Sequence, residues 1–231
     1  MTSRDADLGE VDGSASASAP PSSSSSKKKI LCLHGFRTSG KIMYMQTAAM
    51  RFHTPLQYTF MDGPCPAEAD PDPLVMEFYP NRPYFEWYQR DRDPPGVRGM
   101  KEATEEVVRF LKTHGPFQGL MGFSQGASLV TTLAHMQQTQ HELFRGGSLF
   151  DFVVLIGGVT PPLITAEEAH LLLPSCHIMG TRDHVYVHSQ ALTTYYDASS
   201  RVVLQHNEGH NIPSLRAGLY PLISEFVHAL P

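Results

Sequence analysis

The chain has 231 residues, of which 41% are hydrophobic and 18% charged, with a formal net charge of −5. That length and composition fit one domain with a full core. The acidic balance offers no electrostatic case for nucleic acid or for an anionic membrane, and no apolar run approaches the length of a bilayer span, so stable membrane insertion is not expected.

Residues 1–26 are mostly Asp, Glu, Gly, Ser, Ala and Pro and end in a serine run, Ser22 to Ser26. Such a composition cannot bury enough surface to fold, so this stretch is expected to be disordered, with the folded domain spanning 27–231. It has no apolar core of a secretory signal and too many acids for a transit peptide. Cys32, Cys65 and Cys176 make an odd, low count, and Cys32 and Cys176 sit in apolar runs. Buried reduced thiols, and hence a reducing cytoplasmic setting, are expected, with Lys27-Lys28-Lys29 leaving a nuclear one open.

Ile30 to Leu33 reads as a buried parallel strand that delivers His34-Gly35-Phe36-Arg37. A helix is predicted over Ser39 to Phe52 and a second strand over Leu56 to Met61. Pro64 to Arg98 holds eight prolines and reads as a long irregular segment. A helix over Met100 to His114 leads into an apolar strand, Phe117 to Met121, followed by Gly122-Phe123-Ser124-Gln125-Gly126 and a helix to Gln140. Further strands are predicted at Phe152 to Ile156, Pro174 to Met179 and Arg201 to His206. Helices are expected over Val187 to Tyr196 and Pro213 to Leu230. Strands alternating with helices give a mostly parallel central sheet with helices on both faces, and ligands of such sheets sit at the carboxyl ends of the strands.

A strand, a G-x-S-x-G and a helix in succession make a nucleophile elbow, in which small residues flank a serine held out on a tight turn. The motif alone does not decide the matter, since a serine in a glycine-rich loop is the plainer explanation. The partners strengthen it. A serine hydroxyl needs a base and a carboxylate that orients the base. Among the twelve histidines, His210 lies in Asn207-Glu208-Gly209-His210-Asn211, just after the last strand. His206, the next choice, lies at the strand end where its ring can face the core. Asp183 follows a strand through Gly180-Thr181-Arg182. It competes with a helix-capping role and with Asp151 and Asp197, which stand before a strand and at a helix end. The order Ser124, Asp183, His210 is the nucleophile–acid–base order of α/β-hydrolases. The oxyanion then needs two donors, for which the backbone N–H groups of Phe36 and Gln125 are the candidates, with His34 bracing the first turn rather than serving as a base.

One rival uses the same loop. Gly35 to Ile42 nearly matches the phosphate-binding G-x-x-x-x-G-K-[ST], with Asp62 at the end of the next strand as a metal-binding carboxylate. Ile42 stands where that motif needs a hydroxyl for Mg²⁺. No cysteine or histidine spacing suggests a metal site, and no cofactor is expected.

From Lys28 onward the chain resembles the FSH family of serine hydrolases. The resemblance rests on Ile30 to Phe36, the Pro-rich aromatic segment with Trp87, Gly122 to Gly126, Gly180 to Asp183, and Gly209-His210 followed by Pro213. It implies an α/β-hydrolase fold, a triad of Ser124, Asp183 and His210, and carboxylesterase activity on a small-molecule ester. The chain departs from the family at Tyr84 to Tyr88, where paired tryptophans are expected, and this bears on the shape of the substrate pocket. A thioesterase, a lysophospholipase-like hydrolase, or a receptor that retains the triad without turnover are the alternatives. Residues 64–98 read as a lid over Ser124 whose apolar side chains, Leu74, Val75, Met76, Phe78, Tyr79, Tyr84, Phe85, Trp87 and Tyr88, form a pocket for medium or long acyl chains, or else as cover for the core. Oligomeric state is not legible in the sequence.

Overall fold

The computed structural model describes residues 27–92 and 95–230. The expectation for residues 1–26 falls outside them. Six strands, β1 (Lys28–Leu33), β2 (Leu56–Met61), β7 (Gly119–Phe123), β8 (Phe152–Ile156), β9 (Ser175–Gly180) and β10 (Arg201–His206), form one sheet in the order β10-β9-β8-β7-β1-β2. Every pairing in it is parallel. β7 and β8 are buried along their whole length, which is why they read as unbroken apolar runs rather than as alternation.

The two-residue period of a strand divides the core into two layers. Leu31, Leu33, Leu120, Val153 and Leu155 face one side, under α4 (Met100–His114) and α5 (Gln125–Gln138). Ile30, Cys32, Met121, Val154 and Ile156 face the other, under α1 (Gly40–Gln46), α2 (Ala48–His53) and α8 (Tyr220–Ala229). The chain thus has the three-layer α/β-hydrolase architecture read from the sequence. Cys32, Cys65 and Cys176 are all free thiols. Burial pushes that of Cys32 well up and that of Cys176 up to about 12.

Several boundaries differ from expectation for local reasons. The helix predicted over Ser39 to Phe52 is two helices meeting at Thr47, whose buried hydroxyl donates to Met43 O at 2.8 Å and bends the run. The last helix begins at Tyr220, because Gly218 adopts a left-handed φ of 70° after a short turn at Leu215–Ala217. The helix after β9 is α7 (Tyr186–Thr193). A four-residue helix, α6 (Ala166–Ala169), is an addition to the predicted elements, and Thr165 and Glu168 form a capping box around its start.

The largest correction concerns residues 64–98, which are far from irregular. β3 (Cys65–Pro66) pairs antiparallel with β4 (Phe85–Glu86), and β5 (Gln89–Arg92) with β6 (Pro95–Arg98). Between the two strands of the first ribbon lies α3 (Pro73–Phe78), started by the Asp72 carboxylate accepting from Leu74 N at 2.9 Å and by proline at its first position. Among the described residues no helix is long and apolar enough to cross a membrane.

Candidate active site

Ser124 lies between the end of β7 and the start of α5, with φ 53° and ψ −113°, a region that non-glycine residues seldom occupy. Its N–H donates to Ile156 O on the neighbouring strand at 2.9 Å, so the sheet itself holds the turn. The two glycines of the motif are there for space. A Cβ on Gly122 would stand 2.4 Å from Ala127 N, and one on Gly126 would stand 2.1 Å from Leu33 O. The helix could not pack this close to β1 and β7 with any larger residue.

Three side chains delivered by three strand ends meet at this turn. His210 Nε2 lies 2.9 Å from Ser124 Oγ, and His210 Nδ1 lies 2.7 Å from Asp183 Oδ2. Asp183 comes from the loop after β9, and its other oxygen accepts from Val185 N at 2.8 Å. Burial pushes the Asp183 carboxyl up, but the hydrogen bonds from His210 and Val185 outweigh it and hold the group below the usual range. The His210 ring also stacks on Phe123, 4.8 Å between centroids. His206, by contrast, points inward and is buried. Its Nδ1 lies 3.6 Å from Glu208 Oε2, too far for a hydrogen bond. Among the described residues no group of three metal-ligating side chains is assembled.

The turn after β1 is braced by His34. Its Nε2 accepts from Gly63 N at 2.9 Å, which leaves Nδ1 to carry the proton and donate to Gly35 O at 2.7 Å. Burial lowers its pKa to about 4, so the ring is neutral at ordinary pH. Thr38 Oγ1 also donates to Gly35 O, at 2.8 Å. Among the described residues neither Phe36 N–H nor Gln125 N–H has an intramolecular acceptor, and both residues line a cleft at Ser124. The phosphate-loop alternative fails here. The Asp62 carboxylate accepts from Gly40 N at 2.7 Å, so the N-terminus that would meet a phosphate already holds an acid.

The aromatic segment has a different position from the one its composition suggests. Trp87 has no exposed surface, and its Nε1 donates to His34 O at 2.8 Å. The Gln125 side chain accepts from Trp87 N at 3.0 Å and donates to Tyr88 O at 2.7 Å. Tyr88 donates its hydroxyl to Ser128, and Phe85 N donates to Thr38 O at 2.7 Å. Glu86, 1% exposed, pairs with Arg37 at 2.7 Å. Phe85 to Tyr88 is therefore a strap tying both candidate oxyanion donors to the elbow. Neither Trp87 nor Phe85 lines the clefts at Ser124, and Tyr88 reaches only one of them. Of the apolar residues expected to wall the pocket, Leu74, Val75 and Phe78 of α3 and the adjoining Tyr79 do line it, whereas Phe85 and Trp87 do not.

The pocket is a cavity of about 590 Å³ which opens on Ser124 and His210 and is lined by Leu74, Val75, Phe78 and Tyr79 together with Phe36 and Ile212. Sequence reasoning misses the helix and His184, whose ring lies edge-on to His210 at 5.0 Å between centroids. The Asp72-Pro73 pair is a usable signal for the first. His184 follows Asp183 directly and carries none.

The neutral, buried His34 has a consequence for stability. An unfolded histidine takes a proton near pH 6.5, whereas His34 in the fold refuses it until about pH 4. The unfolded state binds more protons in that interval, so stability falls as pH drops through it, by up to about 3 kcal/mol from this residue. His177, lowered to about 3 by burial and by Arg201, adds in the same direction. Urea midpoints at pH 7 and pH 4.5 should show the loss, and His34→Gln should reduce it; an unchanged midpoint would contradict this linkage.

Comparison with known proteins places these features in a family. The model described as serine hydrolase (FSH1) matches residues 23–219. Esterase FUS5 of Gibberella moniliformis is 31% identical over 193 residues, covering 80% of this chain and 80% of that protein. Esterase OVCA2 of Bos taurus is 31% identical over 206 residues, covering 80% and 89%. Among solved structures, a carboxylesterase from Mesorhizobium loti superposes with a TM-score of 0.62 over 88% of this chain and 90% of that one, at 17% identity, a likeness of fold.

Proposed function

The chain belongs to the serine hydrolase (FSH1) family, and from that premise we propose that it is an esterase cleaving carboxylic esters through an acyl-enzyme on Ser124. The observation that carries the proposal is the unbroken run from Asp183 through His210 to Ser124, at 2.7 and 2.9 Å.

His210 Nε2 takes the proton from Ser124 Oγ as the oxygen attacks the ester carbonyl. The carbonyl oxygen becomes an anion received by the N–H groups of Phe36 and Gln125. The imidazolium, steadied by Asp183, passes its proton to the departing alcohol. Water, activated by the same ring, then releases the acid and restores the hydroxyl. The strap from Phe85 to Tyr88 acts before any of this, because it fixes both donor loops and so removes the reorganisation they would otherwise undergo.

The hydrocarbon of the ester lies in the cavity walled by α3. Phe78 is 68% exposed and Leu74 is 63% exposed, and covering them with a methylene chain removes apolar surface from water. A fully buried methylene contributes about 0.8 kcal/mol, and in so open a cleft a gain of about twofold in kcat/KM per methylene is expected over several carbons. Multiple-turnover assays with esters of graded acyl length and of graded alkyl length test this. One series should climb from two to eight carbons, and Phe78→Ala should lower its slope. Equal rates along both series would remove the hydrocarbon site, and no turnover of any ester would remove the esterase reading.

A further inference from the structure

A second cleft, of about 680 Å³, also opens on Ser124 and has a different character. Arg37, Arg90 and Asp91 line it, together with Phe36, Gln125 and Val159. The charges there are unevenly offset. The Arg37 guanidinium is paired with the buried Glu86 carboxylate and also donates to Asp70 O at 3.1 Å. Asp91 is held on both oxygens by Arg98, at 2.8, 3.0 and 3.1 Å. Arg90 donates to Thr160 O at 3.1 Å and lies 5.9 Å from the Tyr88 ring centroid. Among the described residues no carboxylate pairs with it, so within them the cleft carries one cation lacking a counter-charge, in a chain whose net charge is −5. A guanidinium in this state presents a planar fork of donors that matches a carboxylate.

We propose that the cleft lined by Arg37 and Arg90 is a subsite for a carboxylate on the substrate, so that the hydrocarbon of the ester lies in the cavity under α3 and its anionic end lies beside Arg90. The substrate class is then a carboxylate-bearing ester, with an apolar chain on one side of the scissile bond and a free carboxylate on the other. Two features favour this over a surface arginine of no consequence. Ser124 lines both clefts, so a molecule reacting there extends naturally into each. The neighbouring acid, Asp91, is turned to Arg98, which keeps its charge from cancelling that of Arg90.

The proposal rests on Ser124 being the nucleophile, and its test separates the two. Octyl hydrogen succinate places the carboxylate on the acyl side, and octanoyloxypropanoate places it on the alcohol side. Each is compared with a neutral ester of the same length, octyl butanoate and propyl octanoate. One of these carboxylate-bearing esters should exceed its neutral counterpart about tenfold in kcat/KM, the size of a charge-assisted hydrogen bond partly open to water. That ratio should fall toward unity in Arg90→Gln and, in the unmodified protein, as salt is raised to molar concentration. A ratio near one for both pairs, or a preference that survives both Arg90→Gln and high salt, would overturn the subsite. Failure of the nucleophile appears elsewhere, as hydrolysis of the neutral esters that persists in Ser124→Ala.

Discussion

Ser124→Ala is expected to lower kcat for a simple carboxylic ester about 10⁶-fold while leaving the protein folded. The size follows from what the substitution removes. Without Oγ there is no acyl-enzyme, and water activated by His210 must attack the carbonyl unaided, so only binding and the two N–H donors remain to help. The fold should be indifferent, because among the described residues the Ser124 side chain makes a single hydrogen bond, to His210. The positive φ at this position costs alanine about as much as serine, since both carry a Cβ. A fluorophosphonate should label the native protein once, on the peptide containing Ser124, and should leave the alanine variant unlabelled. A urea midpoint close to that of the parent would establish that the loss is chemical. Labelling that persists in the variant would show that another residue is the nucleophile.

Much of this arrangement is legible in the amino-acid sequence, and the reason lies in where each residue falls. β7 and β8 are covered on both faces, so they appear in the sequence as apolar runs too short for helices. Ser124, Asp183 and His210 each follow the carboxyl end of a strand, which in a parallel sheet places them on one edge. The glycines of the elbow are short-range requirements, set by atoms of Ala127 and Leu33 a few residues away or on the adjacent strand. The segment from Pro64 to Arg98 is legible only in part: its apolar residues Leu74, Val75, Phe78 and Tyr79 do line the cavity at Ser124, but the ordering of the rest is long-range. Trp87 is held by His34 and Gln125, and Glu86 by Arg37, from positions tens of residues apart. An aromatic cluster in a proline-rich stretch looks the same in sequence whether it lines a pocket or plugs the core. Here Trp87 and Tyr88 do the second, and a six-residue helix too short to show a period does the first. The half-buried Arg37–Glu86 pair carries no sequence signature at all.

Asp183→Asn is expected to reduce kcat about 10⁴-fold with little change in stability, which would assign the acid of the triad. The asparagine can keep Oδ1 on Val185 N, the bond that shapes the loop after β9. It then presents an NH₂ to His210 Nδ1, where the carboxylate now accepts. Two donors cannot share that bond, so Nδ1 must become the acceptor and the proton must move to Nε2. Nε2 is the atom that faces Ser124 Oγ, and with a proton on it the ring cannot take another from the serine. The imidazolium that forms during attack also loses its counter-charge. A second signature lies in acid stability. Asp183 is held below the ordinary carboxylate pKa, so its contribution is present above that value and is lost as pH falls through the lowered one. Asparagine has no proton to gain there, and the variant should lose less stability than the parent between pH 4 and pH 2. Asp151→Asn serves as the control, since Asp151 is exposed at the opposite end of the sheet, just before β8. Its activity should stay within about twofold of the parent, as surface substitutions do. If Asp151→Asn were the variant that lost activity and Asp183→Asn kept it, the triad as drawn from Asp183 through His210 to Ser124 would be wrong.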